Sequence, residues 1–144
     1  MTAAGFADAA GAVDNPLLAY LGITLEAVRE GRASFVIDVD QRHLNRQGSL
    51  QGGVAATLLD AACGYAGLAA RGARAGDTLG SAVTVTLAIS YIRKVNTGRL
   101  RAVGQVTKAG RTMYFSSGEL LTEGGDLVAT AQGAFMRTAP PDRG

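Results

Sequence analysis

The stretch from Gly52 to Ala70 constrains the fold of this chain more than any other segment, because nearly all its residues are small or apolar. It is almost long enough to span a bilayer. However, it is rich in Ala and Gly, and its single charged residue, Asp60, would cost about 2.5–3.5 kcal/mol at the centre of a membrane helix. We therefore expect no membrane association, but a long helix that is buried inside the protein and ends at Arg71-Gly72.

The segments after this helix are rich in β-branched residues and are separated by turns that contain glycine. Such segments form antiparallel strands joined in a meander. A pair of half-buried segments precedes the helix, on either side of a Glu30-Gly31-Arg32 turn, and is typical of a hairpin. The predicted strands cover residues 23–29, 33–39, 82–95, 99–107, 112–122 and 127–136.

Two shorter signals complete the order of elements. Asn15-Pro16 predicts the start of a short helix that continues to Leu21, because Asn is favoured as an N-cap and Pro at the first helical position. Gly22 is expected to end this helix. Residues 41–50 are polar and irregular and are expected to form a loop.

This order predicts an α+β fold rather than a doubly wound parallel sheet, since the strands and the long helix are segregated along the chain. A long apolar helix beside one antiparallel sheet is most simply buried if the sheet curls around it. We therefore predict a five- or six-stranded antiparallel sheet wrapped around one long central helix. We expect a single domain over residues 1–144, with a flexible tail over residues 1–14.

The composition argues against several classes of function. The net charge is +2 and the pI about 9.0, with the basic residues mostly single and at turns. This pattern argues against a nucleic-acid partner but suits a small polyanionic ligand such as a nucleotide phosphate. Cys63 is the only cysteine, which excludes an intrachain disulfide and favours a reducing, cytoplasmic location. The first residues carry acids and no basic segment, so no signal peptide is expected.

Asp60 is the residue whose chemistry most needs an explanation, because it is the only charge in a long apolar helix. A carboxylate in such surroundings is paired, takes a proton or serves a function. Gln51, Gly52 and Gly53 stand where that helix starts. The free N–H groups and positive dipole end there can polarise a carbonyl, and two glycines let it approach closely. The structural alternative is an Asp that only fixes helix packing.

The spacing of these two features predicts a site made by two chains. Gly52 and Asp60 are eight residues apart, or about 12 Å along one helix. A carbonyl carbon beside Asp60 cannot also place its oxygen on an amide at that distance. If both groups act on one carbonyl, they come from two copies of the helix that lie antiparallel, so the site is shared across a homodimer. A core of small residues likewise favours burial against a second subunit.

The string from His43 to Gly53 (HLNRQGSLQGG), followed by Ala56-Thr57-Leu58-Leu59-Asp60, resembles the signature of hotdog-fold acyl-CoA thioesterases of the phenylacetate-degradation (PaaI-like) family. The resemblance extends over residues 16–136. Residues 84–91 (TVTLAISY) are similar to the strand that follows the helix in that family. The resemblance implies an acyl-CoA substrate and homodimers that pair further as a dimer of dimers. We expect no metal and no cofactor, since the coenzyme A belongs to the substrate.

The resemblance also assigns roles to single residues. It implies that Asp60 attacks the thioester or activates a water molecule, and that the Gly52 amide polarises the thioester carbonyl. Asn45 matches a loop residue that helps to position the thioester or the water. Thr84 matches a strand Ser or Thr near the carboxylate, with Ser81 close enough to be its alternative.

Gln51 departs from the family pattern, which usually has His before the two glycines. An amide can donate a hydrogen bond but cannot carry a proton, so this residue bears on rate and substrate rather than on the class of enzyme. Other candidates for contact with a small aryl- or medium-chain acyl-CoA are Gly53, Ser81, Arg93, Lys94, Lys108 and Arg111. The acyl group itself, aromatic or aliphatic, is left open, and candidates to line its pocket are Leu17, Leu21, Tyr65 and Leu68.

Three rival hypotheses remain. Dehydratases of the hotdog fold depend on a catalytic His, but the only histidine here, His43, lies in the loop and is expected to be a surface or structural residue. A Cys63/His43 nucleophilic pair is disfavoured, because a thiol among small apolar residues in mid-helix is inert. The rival from another class is a non-catalytic acyl-CoA-binding or regulatory protein on the same fold, which Gln51 favours and Asp60 disfavours.

Overall fold

A six-stranded antiparallel sheet packs against one long helix in the computed structural model, which describes residues 15–74 and 77–139. The tail predicted for residues 1–14 lies outside the described residues. The elements in chain order are α1 (Pro16–Leu21), β1 (Thr24–Arg29), β2 (Arg32–Val39), a 3₁₀ turn (Gln41–His43), α2 (Gly52–Tyr65), β3 (Ser81–Tyr91), β4 (Gly98–Ala109), β5 (Met113–Thr122) and β6 (Leu127–Thr138). The predicted α+β class and the antiparallel sheet of five or six strands are confirmed, and the number of strands is six.

The local signals at the start of the chain act as predicted. The side chain of Asn15 accepts a hydrogen bond from the Leu18 N–H group, which caps α1. Gly22 ends this helix in the left-handed conformation, with φ of 72°. Gly31 has a φ of 77° in the turn between β1 and β2.

The strand order is β1-β2-β4-β5-β6-β3, so the predicted meander is wrong for one strand. β4, β5 and β6 do follow one another, but β3 pairs with β6 and lies at the far edge of the sheet. The chain leaves β2, passes through α2 across the face of the sheet and enters β3 at the opposite edge.

β3 ends at Tyr91 rather than at Val95, because the regular pairing with β6 stops there. The N–H groups of Ile92 and Arg93 both donate to the Val128 carbonyl, and the Val95 carbonyl accepts from the Leu50 N–H group. The segment therefore turns towards the loop before α2 and returns to β4, which lies beside β2.

α2 ends at Tyr65 rather than at Ala70, because side chains of the sheet take the carbonyl groups that a longer helix would use. The Tyr114 hydroxyl donates to the Gly64 carbonyl, and the Arg137 guanidinium donates to the Gly67 carbonyl at 2.7 Å. Gly67 also lies against the Tyr114 ring, which a Cβ atom there would meet at 2.2 Å. None of the helices among residues 15–74 and 77–139 is long and apolar enough to cross a membrane.

The core lies between α2 and the inner face of the sheet, and two glycines of the sheet bring the two layers close together. A Cβ atom on Gly104 of β4 would lie 2.1 Å from the Ala62 carbonyl oxygen, and one on Gly118 of β5 would lie 2.7 Å from the Cys63 Sγ atom. Leu58 and Leu59 of the helix are fully buried beside this contact. The small residues of the sequence thus set the separation of helix and sheet.

Gly104→Ala is expected to lower the free energy of unfolding by about 1–3 kcal/mol, because the added methyl group meets backbone atoms that cannot move aside. Gly124→Ala is the matched control, since the nearest atom to its added Cβ is 3.9 Å away; its effect should stay within about 0.5 kcal/mol. Urea unfolding followed by circular dichroism measures both, and equal stability of the two variants would contradict the close approach at Gly104.

Candidate active site

Asp60 of α2 and Thr84 of β3 form the centre of the candidate site. The Thr84 hydroxyl donates a hydrogen bond to Oδ1 of Asp60 at 2.7 Å. Asp60 is half-buried rather than enclosed, so its charge is tolerated by this bond and by partial contact with solvent. Ser81, the alternative to Thr84, instead accepts a hydrogen bond from the Thr138 hydroxyl at 3.1 Å. The structure therefore places Thr84 beside the carboxylate.

A cavity of about 340 Å³ opens beside Asp60. Three of the four residues predicted to line an acyl pocket border it, namely Leu17, Tyr65 and Leu68, whereas Leu21 does not and Leu18 takes its place. Further wall residues come from α2, β3, β5 and β6: Thr57, Ala61, Gly64, Ser81, Ala82, Tyr114 and Phe135. The wall is mixed: its leucine, alanine and phenylalanine side chains can hold the hydrocarbon part of a ligand, and polar groups lie among them beside the carboxylate.

Two residues of the cavity wall, Asn15 and Tyr65, are hydrogen-bonded to each other. The Asn15 side-chain amide donates a hydrogen bond to the Tyr65 hydroxyl at 3.3 Å, and the Tyr65 ring packs edge-on against Phe35, with ring centroids 5.0 Å apart. These contacts fix the Tyr65 side chain at the cavity wall. From the sequence, Tyr65 was a candidate only as part of an apolar pocket. Its hydrogen bond could not be predicted, because its partner Asn15 is fifty residues away in the chain.

The start of α2 forms a second group of candidate residues. Gln51 is its N-cap residue, and the side chain of Gln51 makes no capping hydrogen bond. Its carbonyl accepts from the N–H groups of Val54 and Ala55. The N–H groups of Gly52 and Gly53 come before these, where a helix supplies no acceptor, so they can bind the oxygen of a ligand.

Asn45 holds the loop before this helix in shape. Its Oδ1 atom accepts hydrogen bonds from the N–H groups of Gln47 at 2.9 Å and Ser49 at 3.1 Å. Its carbonyl also accepts from the Gly48 N–H group, at a residue whose φ is 83°. The carboxamide oxygen of Asn45 is thus engaged within the loop, and the group that can still act on a ligand is its Nδ2 donor.

His43 is fully buried and ties this loop to α1. Its Nε2 atom lies 2.7 Å from the Leu21 carbonyl oxygen, and its Nδ1 atom accepts from the Asp40 N–H group at 2.9 Å. These two partners place the proton on Nε2. The His43 carbonyl also accepts from the Gln51 N–H group. His43 is therefore a structural residue and not a surface one, and it supports the residue that begins α2.

Within one chain, the two groups of candidate residues stay apart. The cavity beside Asp60 includes Thr84 but not Asn45, Gln51 or Gly52, as the spacing along α2 led us to expect. Each chain therefore presents two separate groups of candidate residues, one at the middle of the helix and one at its start.

β3 is an edge strand whose side chains are exposed on both faces. Val83 and Val85 are 52% and 48% exposed, and Tyr91 is 57% exposed. An edge strand presents unpaired N–H and C=O groups, and a long apolar edge is a surface to which another strand can add. The strand that carries Thr84 thus has an open side.

The basic residues predicted to hold coenzyme A lie at opposite ends of the sheet. Arg93 and Lys94 follow β3 at the end where Tyr91 pairs with Ala129, whereas Lys108 and Arg111 lie near the turn between β4 and β5. Lys108 of β4 pairs with Phe115 of β5, which pairs with Ala134 of β6. Ala134 is five residues from Ala129, or about 17 Å along the strand. The four side chains therefore do not form one patch within a single chain.

Cys63 is fully enclosed by the core. Burial, and to a lesser extent the neighbouring charge of Asp60, raises the pKa of its thiol to about 12. A thiol with so high a pKa does not ionise near neutral pH, which agrees with the prediction that it is inert. Among the residues that the structure describes, no group of three or more His, Cys, Asp or Glu side chains is arranged to hold a metal ion.

Tyr91 was quoted in the sequence pattern but given no role there. Its hydroxyl donates to the Gly52 carbonyl at 2.7 Å, so it connects the last residue of β3 to the first residue of α2. An alternating strand pattern indicates which face a side chain occupies, but not which backbone atom its end reaches. The available signal was only the similarity of residues 84–91 to a family strand.

The comparison with protein families identifies the class of this chain. The model of the thioesterase superfamily matches residues 47–129, which is more than half of the chain and includes every residue from Gln51 to Tyr91 discussed above. The chain therefore belongs to the thioesterase superfamily and is a thioester hydrolase.

The most similar relatives support this assignment. A protein of Halobacterium salinarum named as a candidate esterase is 30% identical over 131 residues, which cover 85% of this chain and 84% of the relative. The E. coli PaaI protein from the phenylacetic acid degradation operon is 26% identical, with a TM-score of 0.74 over 88% of this chain and 86% of that one. A variant of the phenylacetic acid degradation protein PaaI from Thermus thermophilus is 26% identical, with a TM-score of 0.73 over 86% of this chain and all of that one. These likenesses confirm the predicted hotdog fold and the resemblance to PaaI proteins.

His43→Ala is expected to lower the free energy of unfolding by about 2–4 kcal/mol, because the Asp40 N–H group and the Leu21 carbonyl lose their partner and a cavity remains where the buried ring was. Arg46→Ala, an exposed change in the same loop, is the control and should be close to neutral. Chemical denaturation measures both. A His43→Ala protein of unchanged stability that no longer cleaves thioesters would instead indicate a catalytic histidine.

Proposed function

We propose that the protein hydrolyses the thioester of a small aryl- or medium-chain acyl-CoA to the free acid and coenzyme A. The observation that carries this proposal is the Thr84–Asp60 hydrogen bond beside a cavity that leucine, alanine and phenylalanine side chains partly line. This arrangement leaves one carboxylate oxygen, Oδ2, without that bond and next to the space that an acyl group would fill. The thioesterase family and its PaaI relatives support the substrate class.

In the proposed reaction Asp60 acts on the thioester carbon. As a general base, Oδ2 takes a proton from a water molecule, whose oxygen attacks the carbon. As a nucleophile, Oδ2 attacks the carbon itself and forms an anhydride that water then hydrolyses. Both routes develop negative charge on the carbonyl oxygen, which the Gly52 N–H group stabilises, and both break the C–S bond to release coenzyme A as a thiolate that then gains a proton.

The Gly52 of one chain and the Asp60 of another form each site in this proposal. About 12 Å of helix separates the two residues within a chain, and the cavity at Asp60 does not include Gly52. The open side of β3 offers a surface on which a second copy can pair. Gln51 and the Nδ2 donor of Asn45 would then reach the thioester from the second chain. From the family resemblance we further expect these dimers to pair into tetramers.

Two chains also give the basic residues a possible common ligand. Arg93 and Lys94 lie at the end of β3 near Gly52, whereas Lys108 and Arg111 lie at the other end of the sheet. In an antiparallel pair of chains, Arg93 and Lys94 of one copy lie at the same end as Lys108 and Arg111 of the other. We therefore propose that coenzyme A phosphates are held by basic residues from both copies.

Asp60→Asn keeps the shape of the side chain and a partner for the Thr84 hydroxyl but removes the base, so kcat should fall by about 10²–10⁴-fold. Release of free thiol from a panel of aryl- and alkyl-CoA esters measures the rate, and calorimetric titration with a non-hydrolysable acyl-CoA analogue measures binding, which should persist. Glu119→Gln, which removes an exposed carboxylate from β5, is the control and should leave both unchanged. A wild-type protein that binds acyl-CoA but releases no thiol would favour the non-catalytic binding protein.

Mixing two inactive variants tests the shared site. Gly52→Pro removes the N–H donor at a position where a helix tolerates proline, and Asp60→Asn removes the carboxylate. After subunit exchange, a mixed dimer has one site with both residues intact, so an equal mixture should regain about one quarter of wild-type activity. Each variant mixed with itself gives the baseline. No recovery after exchange has been verified by mass spectrometry would place Asp60 and Gly52 in the same chain's site.

A further inference from the structure

Tyr91 restrains the peptide at the start of α2. Its hydroxyl donates to the Gly52 carbonyl oxygen at 2.7 Å. Its ring carbons also lie about 3.4 Å from the position that a Cβ atom on Gly52 would occupy, so the ring lies against this glycine. The side chain is largely exposed, and burial of the ring therefore does not explain its position. The hydroxyl bond and the contact with Gly52 do.

The Gly52 carbonyl accepts the regular bond of the helix, but side chains add few other restraints at this end of α2. Gly52 and Gly53 lack the Cβ atom that limits backbone rotation, and the side chain of Gln51 makes no capping bond. No atom lies within 4 Å of a Cβ position on Gly53. The Gly52 carbonyl and the Gly53 N–H group share one rigid peptide plane. A hydrogen bond to that carbonyl therefore fixes the plane and, with it, the rotation about the Gly52 Cα atom.

We propose that Tyr91 is a positioning residue for thioester cleavage, which orients the Gly52-Gly53 peptide so that the Gly53 N–H group, beside that of Gly52, points to the thioester oxygen. The inference depends on the proposed role of the Gly52 amide. Tyr91 does not touch the substrate in this proposal and acts through the glycine backbone. An oxyanion donor is effective only when it already points to the place where charge develops, so a loosely held pair of glycines would be a poor one.

The same strand then supports both parts of the active site. Thr84 of β3 bonds to Asp60, and Tyr91 at the end of β3 bonds to Gly52. If Gly52 serves the Asp60 of a second chain, the two side chains of one strand support two different sites. Tyr91 is therefore expected to act on the site that contains the partner's carboxylate, and not on the carboxylate of its own chain.

Tyr91→Phe retains the ring and removes the hydroxyl. We expect kcat to fall between about 5- and 50-fold, less than the loss of a whole oxyanion donor, with KM changed by less than about twofold. Tyr20→Phe, on an exposed tyrosine of α1 that does not border the cavity, is the control and should retain wild-type kcat. A wild-type kcat for Tyr91→Phe would overturn the proposal, and so would a rise in KM of about 5- to 50-fold without a fall in kcat.

The mixed-dimer experiment shows in which site Tyr91 acts. A mixed dimer contains one Tyr91→Phe chain and one Asp60→Asn chain. One of its two sites is then complete, with Asp60 from the first chain and Gly52, supported by an intact Tyr91, from the second. Activity should therefore rise above the mean of the two parent proteins after exchange. Activity equal to that mean, under conditions in which the Gly52→Pro and Asp60→Asn mixture recovers, would place the effect of Tyr91 within its own chain and contradict the inference.

A measurement without substrate separates this inference from the proposed function. The amide resonance of Gly53 reports on the carbonyl to which its nitrogen is bonded, so it should shift in Tyr91→Phe and stay in place in Tyr20→Phe. An unchanged Gly53 resonance would mean that the hydroxyl does not hold this peptide, whatever the activity. Conversely, a shifted resonance in a protein that releases no thiol would sustain the contact and reject the thioesterase role of the site.

Discussion

The close approach of α2 to the sheet at Gly104 and Gly118 is the constraint on which the other contacts depend. A larger residue at either position would push the helix away from β4 and β5. The side chains that reach the helix from the sheet would then fall short of it, because hydrogen bonds weaken steeply over a few tenths of an ångström. These include Thr84 at Asp60, Tyr91 at Gly52 and Tyr114 at Gly64. Small residues in the core thus allow polar side chains of the sheet to reach their hydrogen-bond partners on the helix.

The sequence predicted the features that depend on neighbouring residues and missed those that depend on distant ones. Asn15, Gly22 and Gly31 act through their own backbone and nearest neighbours, so their roles could be read directly. The end of α2 could not, since its carbonyl groups are taken by Tyr114 and Arg137, about fifty and seventy residues further on. The position of β3 was missed for a similar reason: an alternating pattern identifies a strand but does not state which strand lies beside it.

The candidate site divides in the same way. Asp60 could be found because a single charge in an apolar helix is conspicuous, and Gly52 because it stands at the start of that helix. The family pattern then added Asn45. Thr84 and Ser81 are three residues apart in one segment, and only the three-dimensional structure shows which hydroxyl reaches the carboxylate. The role of Tyr91 could not be predicted from the sequence, because its partner is a backbone carbonyl, a group that every residue has.

The early end of α2 also has a consequence for how such a protein can change. Leu68 and Gly80 border the cavity from outside the regular helix and strand, and the Gly80 N–H group bonds to the Leu68 carbonyl at 2.8 Å. Asp60 and Thr84, in contrast, lie on a helix and a strand that the core holds in place. One wall of the cavity is therefore made by a connecting segment, which tolerates substitutions and insertions better than the core does. This part of the cavity wall is therefore encoded separately from the Asp60–Thr84 pair, so the first can diverge while the second is preserved.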